Sequence, residues 1–135
     1  MRMTSLASLT VGLLAVSGGV SAQSGLHNET DINDRLLIVS VVDKINRGCD
    51  SIGVKFFKAQ RFVNDLKSDA TSLGYSRQEV NSYIENKANR AEMRKRRNAY
   101  FNSKGASNLD PQSLCVLGHA EIKQQSRIGT LLRAK

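Results

Sequence analysis

The stretch Thr30–Cys49, TDINDRLLIVSVVDKINRGC, decides the fold. Ile32, Leu36, Leu37, Val41, Ile45 and Cys49 recur at steps of three and four, the spacing that gathers side chains on one face of an α-helix. Val39 and Val42 widen that face, which predicts the most buried helix of the chain. Thr30 or Asp31 can cap its start. Asp31–Arg35 and Asp43–Arg47 stand as i,i+4 pairs on its wet side. Gly48 and Asp50-Ser51 mark its end, so Cys49 closes a buried helix. The other cysteine, Cys115, follows 66 residues later.

Two cysteines with no third read as one bridge in an oxidising compartment. The competing reading is a pair of buried free thiols. A metal site needs more ligands than two distant cysteines and the unclustered His27 and His119 supply. A Cys49–Cys115 bridge would stabilise the fold by about 4 kcal/mol through the closed loop alone. The compartment follows from residues 1–22, which read as a cleaved signal peptide. Arg2 gives the positive start and an apolar run extends from Leu6 to Val16. Gly18 and Gly19 follow, and Val20-Ser21-Ala22 places small side chains at the cleavage subsites. That run is shorter than the roughly 20 residues of a membrane span, and no cysteine follows it as a lipid anchor. The expected organisation is a leader (1–22), a flexible lead-in (23–29) and a helical domain (30–135), periplasmic or secreted.

Outward from the first helix, the hydrophobic spacing stays helical, and no β-alternation of useful length interrupts it. Phe56, Ala59, Val63, Leu66, Ala70 and Leu73 form a stripe on a second helix expected over 52–73, with Phe57 and Phe62 flanking it. Gly74 can end that helix in the left-handed conformation. Ser76 with Glu79 forms a capping box, and Tyr75 with Val80 a hydrophobic staple, for a third helix expected to run to 103–105. Val80, Ile84, Ala88 and Ala91 give it only a narrow apolar edge. Asp110 caps a last helix with Pro111 at its first position. Leu114, Cys115, Gly118 and Ile122 lie on one side of it, and Ile128, Leu131 and Leu132 extend the surface to the end of the chain. The fold class is therefore all-α: a compact bundle of about four helices with one disulfide joining the first to the last.

Chemistry is sparse. His27 lies in the lead-in, and His119 reads as a surface or half-buried histidine. Asp110 and Glu121 are isolated by spacing, and Asp65 and Asp69 share a helix face as solvated acids do. Phosphate-cradling glycine loops are missing, and Asn28-Glu29-Thr30 is a weak glycosylation sequon. No catalytic residue, metal site or cofactor is expected. The one local extreme is Lys87–Arg97, where Lys87, Arg90, Arg94, Lys95, Arg96 and Arg97 face Glu92 for a net +5 within 11 residues. These charges wrap most of a helix. One reading is a solvated face steadied by a Glu92–Arg96 pair; the other is an anion-binding surface. Tyr100 and Phe101 follow, able either to anchor a partner or to finish the core. The whole chain is basic, at a formal +8, which favours anionic partners. Export makes nucleic acid the least suited of these.

The segment Asp110-Pro111-Gln112-Ser113-Leu114-Cys115, then Gly118, Glu121-Ile122 and the ending Ser126–Lys135, resembles a family of small secreted bacterial proteins grouped as a domain of unknown function. Leu66-Lys67, Leu73-Gly74-Tyr75-Ser76 and the helix end Asn46–Cys49 fit the same pattern. The resemblance covers nearly all of the chain after the leader. It implies a periplasmic or exported bacterial protein and brings no activity or site residues. The expected function is non-enzymatic, through surface contacts with an acidic protein or the anionic envelope. A small stress chaperone or inhibitor is the first alternative, and a cell-wall hydrolase, with Glu121, His119 and an acid from another helix around one cleft, the second.

Overall fold

The computed structural model describes residues 25–135, and the expected leader lies outside them. Five α-helices follow one another: α1 (Thr30–Gly48), α2 (Phe56–Ser72), α3 (Arg77–Glu85), α4 (Lys87–Ser103) and α5 (Pro111–Gln124). Two three-residue strands, β1 (Ile52–Val54) and β2 (Leu132–Ala134), pair antiparallel, with Gly53 opposite Arg133. The architecture is all-α with this one small ribbon. No helix among the described residues is long and apolar enough to cross a membrane.

α1 runs through both hydrophobic cores. Its first turns place Ile32 with Leu26, Leu66, Ala70, Tyr75 and Val80. Its later turns place Ile38, Val41, Val42 and Ile45 with Phe101, Leu114, Leu117, Ile128 and Leu132. The cap differs from expectation. Glu29 occupies the cap position and its side chain makes no cap bond; its Oε1 accepts the Tyr75 hydroxyl at 2.9 Å instead. Asn33, buried one turn on, donates to the Leu26 and Glu29 carbonyls at 2.8 Å each and ties the preceding turn down.

Cys49 and Cys115 are joined by a disulfide, with Cα atoms 5.1 Å apart. Around it α1, β1 and α5 approach so closely that a side chain at either of two glycines would have to displace a neighbouring side chain. A Cβ on Gly118 would lie 2.4 Å from Ile52 Cδ1 and 2.8 Å from Ile45 Cγ2. One on Gly48 would lie 2.5 Å from Leu114 Cδ1.

Three expectations change. The helix expected from residue 52 begins at Phe56, because Ile52–Val54 pairs with the end of the chain. That end leaves the helix at Gln125, which is left-handed (φ 50°). It then turns through Gly129–Leu131 into β2, and Lys55 N–H bonds the Leu131 carbonyl at 2.8 Å. Three-residue strands are too short to show a period of two, so the apolar run read as helix. The third expected helix is two. Asn86 is extended (ψ 130°) and accepts the Asn89 N–H at 3.1 Å, capping α4 anew. Asn89 Nδ2 bonds the Tyr83 carbonyl across the corner. Finally, of the α2 stripe only Leu66 and Ala70 are fully buried, while Phe56 at its start is 67% and Leu73 at its end 51% exposed.

The capping box at Ser76 and Glu79 has both its bonds. Gly74 ends α2 at φ 100°, and Asp110 caps α5 ahead of Pro111.

Candidate functional site

The break at Asn86 lays α4 along α1. A helix with so narrow an apolar edge cannot seal against its neighbour, and a groove of about 420 Å³ remains between α1, α3 and α4. Its apolar floor is Leu36, Val39, Tyr83, Ile84 and Met93. Its polar walls are Ser40, Asp43 and Arg47 from α1, and Asn89, Arg90, Arg94 and Arg97 from α4. Arg90, Arg94 and Arg97 stand at i, i+4 and i+7, so one helix face delivers all three.

The six basic residues singled out in the sequence therefore divide. Arg90, Arg94 and Arg97 line the groove. Lys95 meets Glu92 at 3.7 Å, and Arg96 reaches Asp34 on α1 at 3.1 Å. The expected Glu92–Arg96 pair is replaced by these two. Lys87 is the exposed first residue of α4. Arg47 joins from a distant part of the chain; its i,i+4 spacing with Asp43 showed the pair but not the shared groove.

Arg97 is the unusual member. It is only 8% exposed. Its Nε and Nη2 donate to the neutral Asn98 Oδ1 at 3.2 and 3.1 Å. The nearby Asp43 carboxylate is already engaged by Arg47 at 2.5 Å. No carboxylate pairs with Arg90, Arg94 or Arg97 among the described residues. Burial pushes the Arg97 pKa below the usual guanidinium range, and the charge of Arg47 pushes the same way, partly opposed by Asp43. A charge withdrawn from water with only a shared counter-charge, here Asp43, is costly and is relieved by an incoming anion. Tyr83 forms the far end of the floor. Its hydroxyl donates to Asn33 Oδ1 at 2.7 Å, and burial raises its pKa.

The acid and histidine of α5 do not converge. Glu121 is 5% exposed and accepts the Tyr100 hydroxyl at 2.5 Å and the Ser126 hydroxyl. Tyr100 and the fully buried Phe101 belong to the core rather than to a surface anchor. His119 is exposed, with Nε2 3.0 Å from Ser51 Oγ. His27 is exposed on the turn Leu26–Asn28, whose Leu26 is buried. No group of three His, Cys, Asp or Glu that could hold a metal lies among the described residues.

A family model described as a family of unknown function (DUF5333) matches residues 24–133. No curated protein and no solved structure matches the chain.

Proposed function

We propose, for a chain that belongs to the DUF5333 family of unknown function, a non-enzymatic exported binding protein whose α1–α4 groove takes an anionic group from an acidic protein or from the envelope surface. The observation that carries this is Arg97: a buried guanidinium that no carboxylate pairs with among the described residues, beside Arg94 and above an apolar floor. The volume falls within the range of about 300–1,000 Å³ that ligand sites occupy. An anion with a short apolar neck satisfies both parts of the groove, its charge on the arginines and its neck against Val39 and Met93. Export is supported by the disulfide and by the leader-like residues 1–22.

The test is calorimetric binding of an acidic polypeptide, such as poly-glutamate, at low and high salt. Binding that weakens with salt, is lost in Arg94→Ser/Arg97→Ser and survives in Lys95→Ser supports the groove. Equal loss in all variants would reduce it to a general basic surface, and indifference to salt would reject it. A second reading, a small exported chaperone, is favoured by Phe56 and Phe57, which are 67% and 84% exposed beside each other at the start of α2. It requires suppression of client aggregation that Phe56→Ser/Phe57→Ser removes.

A further inference from the structure

The environment of the disulfide is built on one side. Cys49 Sγ is buried, whereas Cys115 is partly open to solvent. Ser51, two residues past Cys49, holds Oγ 3.2 Å from Cys49 Sγ and 4.0 Å from Cys115 Sγ. The same hydroxyl lies 3.0 Å from His119 Nε2. His119 follows Cys115 by four residues on α5, so one helix face presents both sulfur and imidazole. A disulfide sulfur carries no proton and can only accept. The arrangement that satisfies both contacts is a chain in which His119 Nε2–H donates to Ser51 Oγ, and Ser51 O–H donates to Cys49 Sγ. The exposed Ser51 hydroxyl is thus set against the buried sulfur, with the exposed His119 behind it, in a bond whose other sulfur can be reached from outside.

We infer that Cys49–Cys115 is a thiol–disulfide exchange site, with Cys115 as the attacked sulfur, Cys49 as the leaving sulfur, and Ser51–His119 as its proton relay. The co-reactant is a thiolate, borne by a small thiol or by another protein. Its sulfur attacks Cys115 Sγ and a new S–S bond forms there. The Cys49–Cys115 bond breaks and its electron pair leaves on Cys49 Sγ. Cys49 takes the Ser51 proton, and Ser51 is reprotonated by the His119 imidazolium, which becomes neutral imidazole. The incoming thiolate is oxidised into the mixed disulfide, and Cys49 is reduced to a thiol. Exchange speeds up when the leaving sulfur is stabilised, which is what a donor held on Cys49 provides. Ser51 touches the reacting sulfur; His119 acts through it as a positioning residue. Charged residues on the elements meeting here include Asp43, Lys44 and Arg47 in the last turns of α1, Asp50 in the same turn as Ser51, Glu121 and Lys123 on α5, and Arg133 and Lys135 on the ribbon end, where Lys135 N–H bonds the Ser51 carbonyl. The inference is independent of the arginine groove.

The experiment follows opening of the oxidised chain by 2-mercaptoethanol, with quenching and mass spectrometry, between about pH 5 and 8, where imidazoles titrate. Rates are divided by the thiolate fraction of the reductant. In the wild-type chain the corrected rate constant should rise about fivefold toward the acid end, the equivalent of one hydrogen bond's net contribution. It should be flat in His119→Gln, which keeps a donor but cannot deliver a proton, and flat in Ser51→Ala. Ser51→Thr should restore the rise, and the first adduct should lie on Cys115. Both sites are exposed, and circular dichroism checks that each variant keeps the fold. Identical profiles in all four proteins, or a first adduct on Cys49, would overturn the inference.

Discussion

Replacing Arg97 with Met separates a structural arginine from a functional one, because the two roles predict opposite signs. Met keeps the aliphatic stem that packs among α1 and α4 and removes the charge. The charge is poorly supported: it is 8% exposed, bonded among the described residues only to Asn98, and set among Arg47 and Arg94 with Asp43 engaged elsewhere. Exchanging buried charge for a well-packed apolar side chain stabilises proteins by about 1–4 kcal/mol in favourable cases. The open side of the groove and the partial offset from Asp43 put Arg97→Met at the lower end, about 1 kcal/mol. For a domain of this size that raises the melting temperature by about 4 °C. Phosphate reverses the order. At 100 times its dissociation constant a ligand stabilises the state that binds it by about 2.7 kcal/mol, and only the wild-type chain holds the site. Phosphate also strengthens burial generally, but this acts on both proteins and cancels in their difference. Thermal melts in chloride and in phosphate should therefore cross: the variant more stable in the first, the wild type in the second. A variant destabilised by more than about 1 kcal/mol in chloride, with the same phosphate increment as wild type, would refute the reasoning and make Arg97 structural.

Gly129→Ala should cost more than about 3 kcal/mol in urea unfolding, since its Cβ would lie 1.8 Å from the Glu121 carbonyl oxygen and backbone must move. Gly118→Ala meets only the ends of Ile45 and Ile52, so overpacking of about 1–3 kcal/mol is partly offset by better helix propensity; equal losses at the two positions would contradict this. Burial, then the bond and charge of Glu121, raise the Tyr100 pKa. Above about pH 10 the unfolded chain ionises this phenol first, so its contribution to stability is complete below that pH and drains away above it. The urea midpoint should fall through this range, and Tyr100→Phe should remove most of the slope, leaving the smaller part due to Tyr83; an unchanged slope would count against it. Cys49→Ala/Cys115→Ala should lose about 4 kcal/mol, with a steeper denaturant dependence as the unfolded chain expands; a loss under about 1 kcal/mol would show that the bridge adds little.

What could be read in advance was set by local rules. The capping box at Ser76, the Asp110-Pro111 start, the left-handed Gly74 and the apolar face of α1 are written within one or two turns of sequence, and the structure keeps them. The corner at Asn86 is equally local, yet Val80, Ile84, Ala88 and Ala91 keep their spacing across it and mask it. The β1–β2 ribbon depends on residues far apart in the chain that show no periodicity of their own. The groove is tertiary in the same sense. Three of its arginines share a visible helix face. Arg47, Val39 and Tyr83 join them only because α4 turns back along α1. Arg96 and Lys95, indistinguishable from Arg97 in the sequence, are diverted to Asp34 and Glu92. The Ser51–His119 contact likewise needs the bridge to bring the two chain segments together.

The groove is tested most directly by following the side-chain Nε–H resonances of all arginines during a phosphate titration of the oxidised protein. Arg97 and Arg94 should shift together and saturate, while Arg35 and Arg61 stay still. Uniform small drifts across every arginine, without saturation, would contradict a built anion site.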